Sequence, residues 1–419
     1  MHAADLHLDT PFVGVEADAP QMAELLRDAS LDALDRLVEV AVERQAAFVV
    51  LAGDIYDGSE RGLRAQLRFR DALVRLDEAH IATFVVHGNH DPVEEGWQAI
   101  RHWPARVTVF DDSSVGEVGV DVDGQRLATV HGISYATRAV TENLARRFER
   151  SAAPGVHVGL LHATVGAQAE HATYAPCSID DLTSARMDYW ALGHVHQRQV
   201  LRRGRGRGDP WVVYAGNTQG RSPKPSERGA KGCYVVPIDP TAIGSPIGEP
   251  EFVALDAVRF SEVAVDVEDV EDLASLADRL LEVGEQARAQ AEGRALVLRG
   301  RLTGRGQLHR ELARPGSREQ LLRRLRDAAR GLTPPLWWDA LEVATRPPVD
   351  RRALRERADF TGELVRLVDR LREDPDVGEL AVDADQILEQ LEPPPDGAPI
   401  DQLLAEAERR ALDLLSEEG

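Results

Sequence analysis

Five short segments of this chain end apolar runs with residues that can hold a divalent cation. They are Asp5-Leu6-His7, Gly53-Asp54-Ile55-Tyr56-Asp57, Gly88-Asn89-His90-Asp91, the single His162, and Gly193-His194-Val195-His196. Ala47 to Ala52 precedes Gly53, Ala82 to Val86 precedes Gly88, Val156 to Leu161 precedes His162, and Tyr189 to Leu192 precedes Gly193. Runs of this length and composition read as buried strands. In open α/β sheets the loops past the carboxyl ends of strands are where sites assemble. The fold must therefore bring five such ends to one place, which excludes most all-α and all-β architectures.

The residue types fix the chemistry. Aspartate and asparagine oxygens with histidine nitrogens, and no thiolate, suit Mn²⁺, with Fe²⁺ or Zn²⁺ as alternatives. Two ions roughly 3.5–4 Å apart share a ligand, lower the pKa of a water and clamp the attacking and leaving oxygens of a phosphoryl displacement. Taken singly, His131 or His157 reads as an ordinary polar residue of a strand. Five segments together do not, because burying so many polar groups without a ligand is costly.

The ordered set resembles the calcineurin-like metallophosphoesterase superfamily. The opening His2-Ala3-Ala4-Asp5-Leu6-His7-Leu8-Asp9 and the later Gly216-Asn217-Thr218-Gln219-Gly220-Arg221 resemble the SbcD-like DNA repair exonucleases, bacterial relatives of the double-strand-break repair nuclease. The motifs cover roughly residues 1–255, and the architecture extends the likeness over 256–346. The resemblance implies a four-layer α-β-β-α sandwich with a small α/β capping domain and a helical C-terminal tail. It further implies that Asp5, His7, Asp54 and His196 surround one metal, and that Asp54, Asn89, His162 and His194 surround the other, with Asp54 as the bridge. His90 would be the general acid that protonates the leaving 3′-oxygen while a metal-bound hydroxide attacks phosphorus. Asp91 is expected to orient His90, and Asp57 to stand behind the ligands. Archaeal and eukaryotic relatives tend to carry His where this chain has Asp57, so that residue's role does not transfer. The first strand should run several apolar residues before Asp5, yet only Met1 to Ala4 stand there. That shortness fits a natural start upstream and leaves Asp5 and His7 expected to be poorly held.

A chain of 419 residues exceeds one typical core, so two or three domains are expected. Cys177 and Cys233 are too few for a disulfide framework and read as packed small hydrophobes. No signal sequence precedes the first motif and no apolar run is long enough to span a bilayer, which predicts a cytoplasmic protein with no membrane partner.

The net charge of −22 opposes nucleic-acid binding unless charge is segregated. Residues 198–231 hold nine basic side chains against Asp209 and Glu227, and residues 299–330 hold ten Arg against Glu311, Glu319 and Asp327. Residues 371–419 hold fifteen Asp or Glu against three Arg. The first basic stretch begins two residues after His196, which points Arg202, Arg203, Arg205, Arg207 and Arg221 toward phosphate contacts. Arg318, Arg323 and Arg326 are candidates of the same kind in the second stretch. A solvated surface is the competing reading for both.

Three units follow along the chain. Residues 1–256 alternate strands and helices, then carry hairpins over Glu117–Val130 and Arg198–Tyr214, and form the phosphoesterase domain. Residues 257–347 read β-α-β-α-β, with strands at Phe260–Val267, Ala295–Leu302 and Leu336–Val343, and form the capping domain. One of Trp337 and Trp338 is expected to face that domain's own core, although stacking on bases is open to the other. Residues 348–419 are helical. Phe360, Leu364, Leu367, Val368 and Leu371 mark one apolar stripe, and Leu403, Leu404, Ala407, Ala411 and Leu414 another. The resemblance places an ATPase-binding segment here, so the last stripe is expected to meet an SMC-like ATPase, with folding back onto this chain as the alternative.

The function expected is a Mn-dependent DNA nuclease, exonuclease favoured, working in DNA repair with that ATPase; a homodimer is left open. The competing readings are a dimetal phosphodiesterase or phosphatase for a small ester, and a non-catalytic scaffold for the ATPase.

Overall fold

The alternation of apolar runs and helical stripes builds two sheets. In the computed structural model, residues 1–10, 20–58, 62–94, 98–166, 173–242, 244–373, 404–405 and 407–412 are described. The chain begins with β1 (His2–Ala3), α1 (Pro20–Glu43), β2 (Phe48–Ala52), α2 (Leu63–Glu78), β3 (Ala82–Val86) and β4 (Val107–Val109). It continues through β5 (Gly116–Val122), β6 (Gln125–Gly132), β7 (Val156–His162), α3 (Ile179–Ser184), β8 (Tyr189–Gly193), β9 (Gln199–Arg202) and β10 (Trp211–Tyr214). β11 (Gly232–Val235) and β12 (Glu251–Ala254) then return to the first sheet. The strand orders are β12-β11-β1-β2-β3-β4 and β5-β6-β7-β8-β10-β9.

Strand alternation explains the layering. In β2, Val49 and Leu51 point to the helix side with Leu34, Leu37, Phe69 and Leu73. Phe48, Val50 and Ala52 point the other way, into one core with Val130, Val158, Leu160 and Ala191 of the second sheet. The far face of that second sheet buries Leu161, Trp190, Leu192 and Tyr214 against Leu182 of α3 and the turn at Leu144. Helices, sheet, sheet and helix give the four layers expected. Cys177 and Cys233 are free and buried, and no described helix is long and apolar enough to cross a membrane.

The short first strand is held better than its length suggests. β1 lies between β2, to which it is parallel, and β11, to which it is antiparallel. Beyond it the backbone continues the ladder: Asp5 N–H donates to Gly53 O at 3.0 Å, His7 N–H to Asp54 O at 3.0 Å, and Leu8 N–H to Ile55 O at 2.9 Å. Asp5 and His7 are fully buried, so the expected looseness is not found.

The expected β-α-β-α-β module is present as β13 (Val258–Asp266), α4 (Leu273–Gln290), β14 (Ala295–Thr303), α5 (His309–Leu312), α6 (Ser317–Ala328) and β15 (Leu336–Val343). Its strands lie in the order β13-β14-β15, with β14 and β15 parallel. Val258, Phe260, Val297 and Trp337 share a core with Met22, Leu26 and Ala29 of α1. Trp338 is fully buried beside Gly284 of α4, where a Cβ would stand 2.7 Å from its ring. Both tryptophans are therefore packing residues.

By its contacts the chain divides into two compact units. The first comprises Met1–Val265, Asp272–Leu302 and Arg314–Ala344; the second comprises Asp266–Glu271, Thr303–Ala313 and Thr345–Gly419. The second unit contains α7 (Arg351–Arg355) and α8 (Phe360–Glu373). In it Glu408, nearly buried, accepts from Arg351 Nε at 2.8 Å, and Arg351 also reaches Asp369 at 2.7 Å. Leu412 is buried. These contacts turn the last helix back onto this chain. Of the apolar stripe expected to meet a partner, Ala407 is exposed and Leu404 and Ala411 are half-buried; Leu403 and Leu414 lie outside the described residues.

One position shows how closely the two sheets meet. A Cβ on Gly193, at the end of β8, would stand 1.8 Å from the carbonyl oxygen of Ala52 at the end of β2. Gly193→Ala must push the sheets apart, and is expected to cost at least about 2 kcal/mol, read as a lowered urea midpoint with an unchanged slope.

Candidate metal centre

The ends of β1, β2 and β3 in one sheet face the ends of β7 and β8 in the other. Asp5 and His7 follow β1, Asp54 follows β2, and Asn89 and His90 follow β3; His162 ends β7, and His194 and His196 follow β8. Four of these residues take left-handed backbone conformations: Asp5 (φ 51°), His7 (φ 42°), Asp54 (φ 50°) and His194 (φ 100°). Each such residue costs of order 1–3 kcal/mol and persists only where its surroundings fix it. The bend turns each side chain out of its strand line and into the gap between the sheets.

The side chains then converge. Ligand atoms of Asp5, His7 and His196 lie within 4.8 Å of one another, as do those of Asp5, Asp54 and His162. His7 Nε2 is 3.0 Å from His196 Nε2 and 3.8 Å from Asp54 Oδ2. His162 Nε2 is 3.1 Å from Asn89 Oδ1 and 3.4 Å from Asp54 Oδ2. The His194 ring packs edge-on to His162 at 5.3 Å between centroids, while its backbone N–H donates to both oxygens of Asp5, at 3.0 and 3.1 Å.

Neighbours turn the histidine lone pairs inward. His162 Nδ1–H donates to Ala52 O at 2.8 Å, and His196 Nδ1–H donates to Glu227 Oε1 at 2.7 Å. Each bond leaves Nε2 as an acceptor facing other acceptors, which is the arrangement of histidines that ligate metals. The charges agree. Burial favours neutral His162, but Asp54 and Asp5 outweigh it and push its pKa up to about 9. Burial likewise opposes charge on Asp54, yet the facing His162 and His7 hold its carboxyl well below the usual range. Burial raises Asp5 to about 6 and lowers His7 to about 4. The pocket thus favours positive charge to balance its oxygens. The donor set and this demand for positive charge both fit divalent cations, with Asp54 facing both clusters.

A family model for the calcineurin-like phosphoesterases matches residues 1–198, and one for the middle domain of the metallophosphoesterase YhaO matches residues 260–346. The chain belongs to the calcineurin-like metallophosphoesterase family. Among its relatives, the uncharacterized metallophosphoesterase YhaO of Bacillus subtilis strain 168 is 37% identical over 276 residues, 66% of this chain and 65% of that one. The DNA double-strand break repair protein Mre11 of Thermoplasma acidophilum is 27% identical over 206 residues, 46% of this chain and 50% of that one. The Mre11 protein of Halobacterium salinarum is 25% identical over 264 residues, 61% and 62% of the two chains. The chain thus spans about half to two thirds of these curated relatives. The family's dinuclear divalent metal centre gives the two clusters their chemical meaning.

Around this metallophosphoesterase centre the structure redistributes several expected roles. Asp91 is engaged by the two loops themselves. Its oxygens accept from Ile55 N (2.8 Å), Gly88 N (2.8 Å) and His87 Nδ1 (3.0 Å), so it ties the loop after β3 to the loop after β2. The carboxylate beside His90 is Asp57, at 3.3 Å from Nδ1. This contact, the largest influence, raises the His90 pKa above its ordinary value. Arg221 does come to the centre, but onto Asp57 at 2.6 Å.

The other basic candidates lie elsewhere. β9 leaves His196 antiparallel to β10, which is parallel to β8. Arg202, Arg203, Arg205 and Arg207 are therefore carried to the opposite end of the sheet from the metal ligands. Arg202 pairs with Asp209, Arg203 with Glu249 at 3.0 Å, and Arg207 bonds Pro240 O. Arg326 is a packing latch: it donates to Trp338 O (2.8 Å) and Asp339 O (3.0 Å) and covers the Trp337 ring at 4.0 Å. Arg318 pairs with Glu319. Arg323 is exposed and lines a cleft of about 630 Å³ with Arg330, Trp337 and Pro20.

Glu227 was not foreseen. It sits among basic residues, and only its nearness to the Gly216–Arg221 motif hints at it. Burial opposes its charge, but His196 outweighs burial and lowers its pKa to about 2. Asn217 Nδ2 donates to its other oxygen at 2.6 Å, and Lys231 Nζ donates to His196 O at 2.8 Å. Glu227→Gln is expected to weaken metal affinity about 10- to 100-fold, measured by metal titration with elemental analysis.

Proposed function

We propose that the chain is a metal-dependent DNA nuclease that hydrolyses phosphodiester bonds, exonuclease favoured, in DNA repair. The carrying observation is the clamp between the centre and the small α/β module. Gln219 Oε1 accepts from Ala257 N (2.8 Å) and Val258 N, and its Nε2 donates to Val258 O (2.6 Å). Asn217 and Arg221 in the same loop hold Glu227 and Asp57. A second module fixed beside the site suits a substrate longer than one nucleotide. The Mre11 relatives, named for double-strand break repair, support the same direction.

Divalent metals in the two clusters, Mn²⁺ favoured, would lower the pKa of a water and neutralise phosphate oxygens. Asp5, His7, Asp54 and His196 would hold one, and Asp54, Asn89, His162 and His194 the other. His90 is 38% exposed at its side chain, the most open imidazole of the group. With Nδ1 on Asp57, its Nε2 is the nitrogen left to protonate a leaving oxygen. We also propose an SMC-like ATPase partner. Its support is the motif resemblance, and co-purification tests it.

The deciding assay is Mn²⁺-dependent cleavage of labelled duplex and single-stranded DNA beside bis-p-nitrophenyl phosphate; cleavage of the small ester alone would reject the nuclease reading. His90→Asn is expected to lower DNA cleavage at least about 10²-fold with metal content intact. Replacing Arg202, Arg203, Arg205 and Arg207 together should leave the salt slope of DNA binding unchanged, since phosphate contacts would be needed to alter it. A flatter slope would place DNA at the far end of the sheet.

A further inference from the structure

Three arginines line a cleft whose described lining shares no residue with the metal centre. Its walls come from the start of α1 (Pro20, Met22), the C-terminal half of α6 and the approach to β15 (Pro335, Leu336, Trp337). Arg323, Arg326 and Arg330 line it against one acid, Asp327, and its volume is about 630 Å³. We propose that this cleft binds a nucleotide, with the base stacked on Arg326 and the phosphate held by Arg323 and Arg330. The site stands independently of the nuclease reading.

The fold alone does not account for these arginines. At positions 323, 326 and 330 they follow one stripe of the helix, where like charges three or four residues apart are destabilising. The carbonyl end of α6 rewards a cation at Arg330, but that effect fades within the last turn and does not reach Arg323. Arg330 pairs with Asp327 at 2.9 Å, and both are largely solvated, a contact too weak to hold it. Arg323 makes no hydrogen bond or ion pair among the described residues. Arg326 is the opposite case. Its Nε and Nη2 donate to Trp338 O and Asp339 O, at 2.8 and 3.0 Å, and the Trp337 ring backs one face at 4.0 Å. A guanidinium held flat in this way can stack a planar ring on its remaining face. The volume lies within the roughly 300–1,000 Å³ of small-molecule sites. It far exceeds one oxyanion, so a phosphate alone would leave the apolar walls uncovered. An anion with a flat aromatic body meets all three surfaces: the exposed arginines, the face of Arg326, and the apolar side chains of Met22, Pro335 and Leu336.

The test separates this cleft from the metal centre. 2′-Deoxyadenosine 5′-phosphate is titrated calorimetrically into the full chain, with and without EDTA. Deoxyadenosine, inorganic phosphate and a 5′-phosphorylated tetranucleotide beginning with the same nucleotide are titrated alongside. One mononucleotide per chain should bind in EDTA, where the metal centre has no cation to offer a phosphate. Deoxyadenosine and inorganic phosphate should each bind at least about tenfold more weakly, the first lacking the charge-assisted bonds and the second the stack. Arg323→Gln/Arg330→Gln should weaken the mononucleotide at least about tenfold and leave deoxyadenosine unchanged. Both side chains are exposed, so an unchanged melting temperature is expected beside that loss. A tetranucleotide bound as tightly as the mononucleotide would make the end of a strand the ligand, and weaker binding would make it the free nucleotide. No heat from the mononucleotide, binding lost in EDTA, inorganic phosphate binding equally well, or an unaffected arginine variant would each overturn the proposal. Cleavage of DNA, or its failure, bears on the nuclease reading alone.

Discussion

The hydrogen bond from His162 Nδ1 to the carbonyl oxygen of Ala52 joins the last residue of β7 to the last residue of β2. It crosses between two sheets whose apolar faces would otherwise set only their separation. Gly193 permits the approach, since any side chain there would collide with the same carbonyl. The bond then does two things at once. It fixes how far one sheet slides over the other, and it sets which nitrogen of His162 faces Asp54. Packing and ligand chemistry are therefore not separable at this point, and a change that relaxes the sheets also turns a ligand.

The rest of the centre follows from that registration. Acceptors from both sheets meet with no protons of their own to share, so the gap favours a cation. The left-handed backbones at Asp5, His7, Asp54 and His194 are a cost that the hydrogen-bonded ladder beyond β1 and the Asp5–His194 contact hold in place. Around this rigid set, Asp91 binds the loops of β2 and β3 together, and Glu227 and Lys231 fix His196 from below. His90 is left as the half-open group.

Much of the layout was legible because ligand residues and strand periodicity reinforce each other. Gly53-Asp54, Gly88-Asn89-His90 and Gly193-His194 each follow an apolar run whose end can be read directly. The β5–β6 and β9–β10 hairpins and the strands of the small module were equally plain. What failed was the use of sequence distance as spatial distance. Asp91 adjoins His90 in the chain, yet its carboxylate turns back to Ile55 and Gly88 while Asp57 takes the histidine. Arg202 follows His196 closely, yet each strand residue carries the chain about 3.3 Å farther away. Glu227 was hidden for a different reason: a lone acid among arginines and lysines looks like a surface counter-charge until the fold buries it.

The placement of β1 has a consequence for how such a chain is made. Its two residues lie between β2, completed by residue 52, and β11, which starts at Gly232. During vectorial synthesis β1 can pair with β2 early, but its other side stays open until Gly232–Val235 has emerged. Glu227 and Lys231, which steady His196, arrive at the same stage. A nascent chain would thus present Asp5, His7 and Asp54 as an unfinished half-site until β11 emerges. Completion of the ligand set is accordingly coupled to closure of the first sheet and not to the appearance of the first ligands.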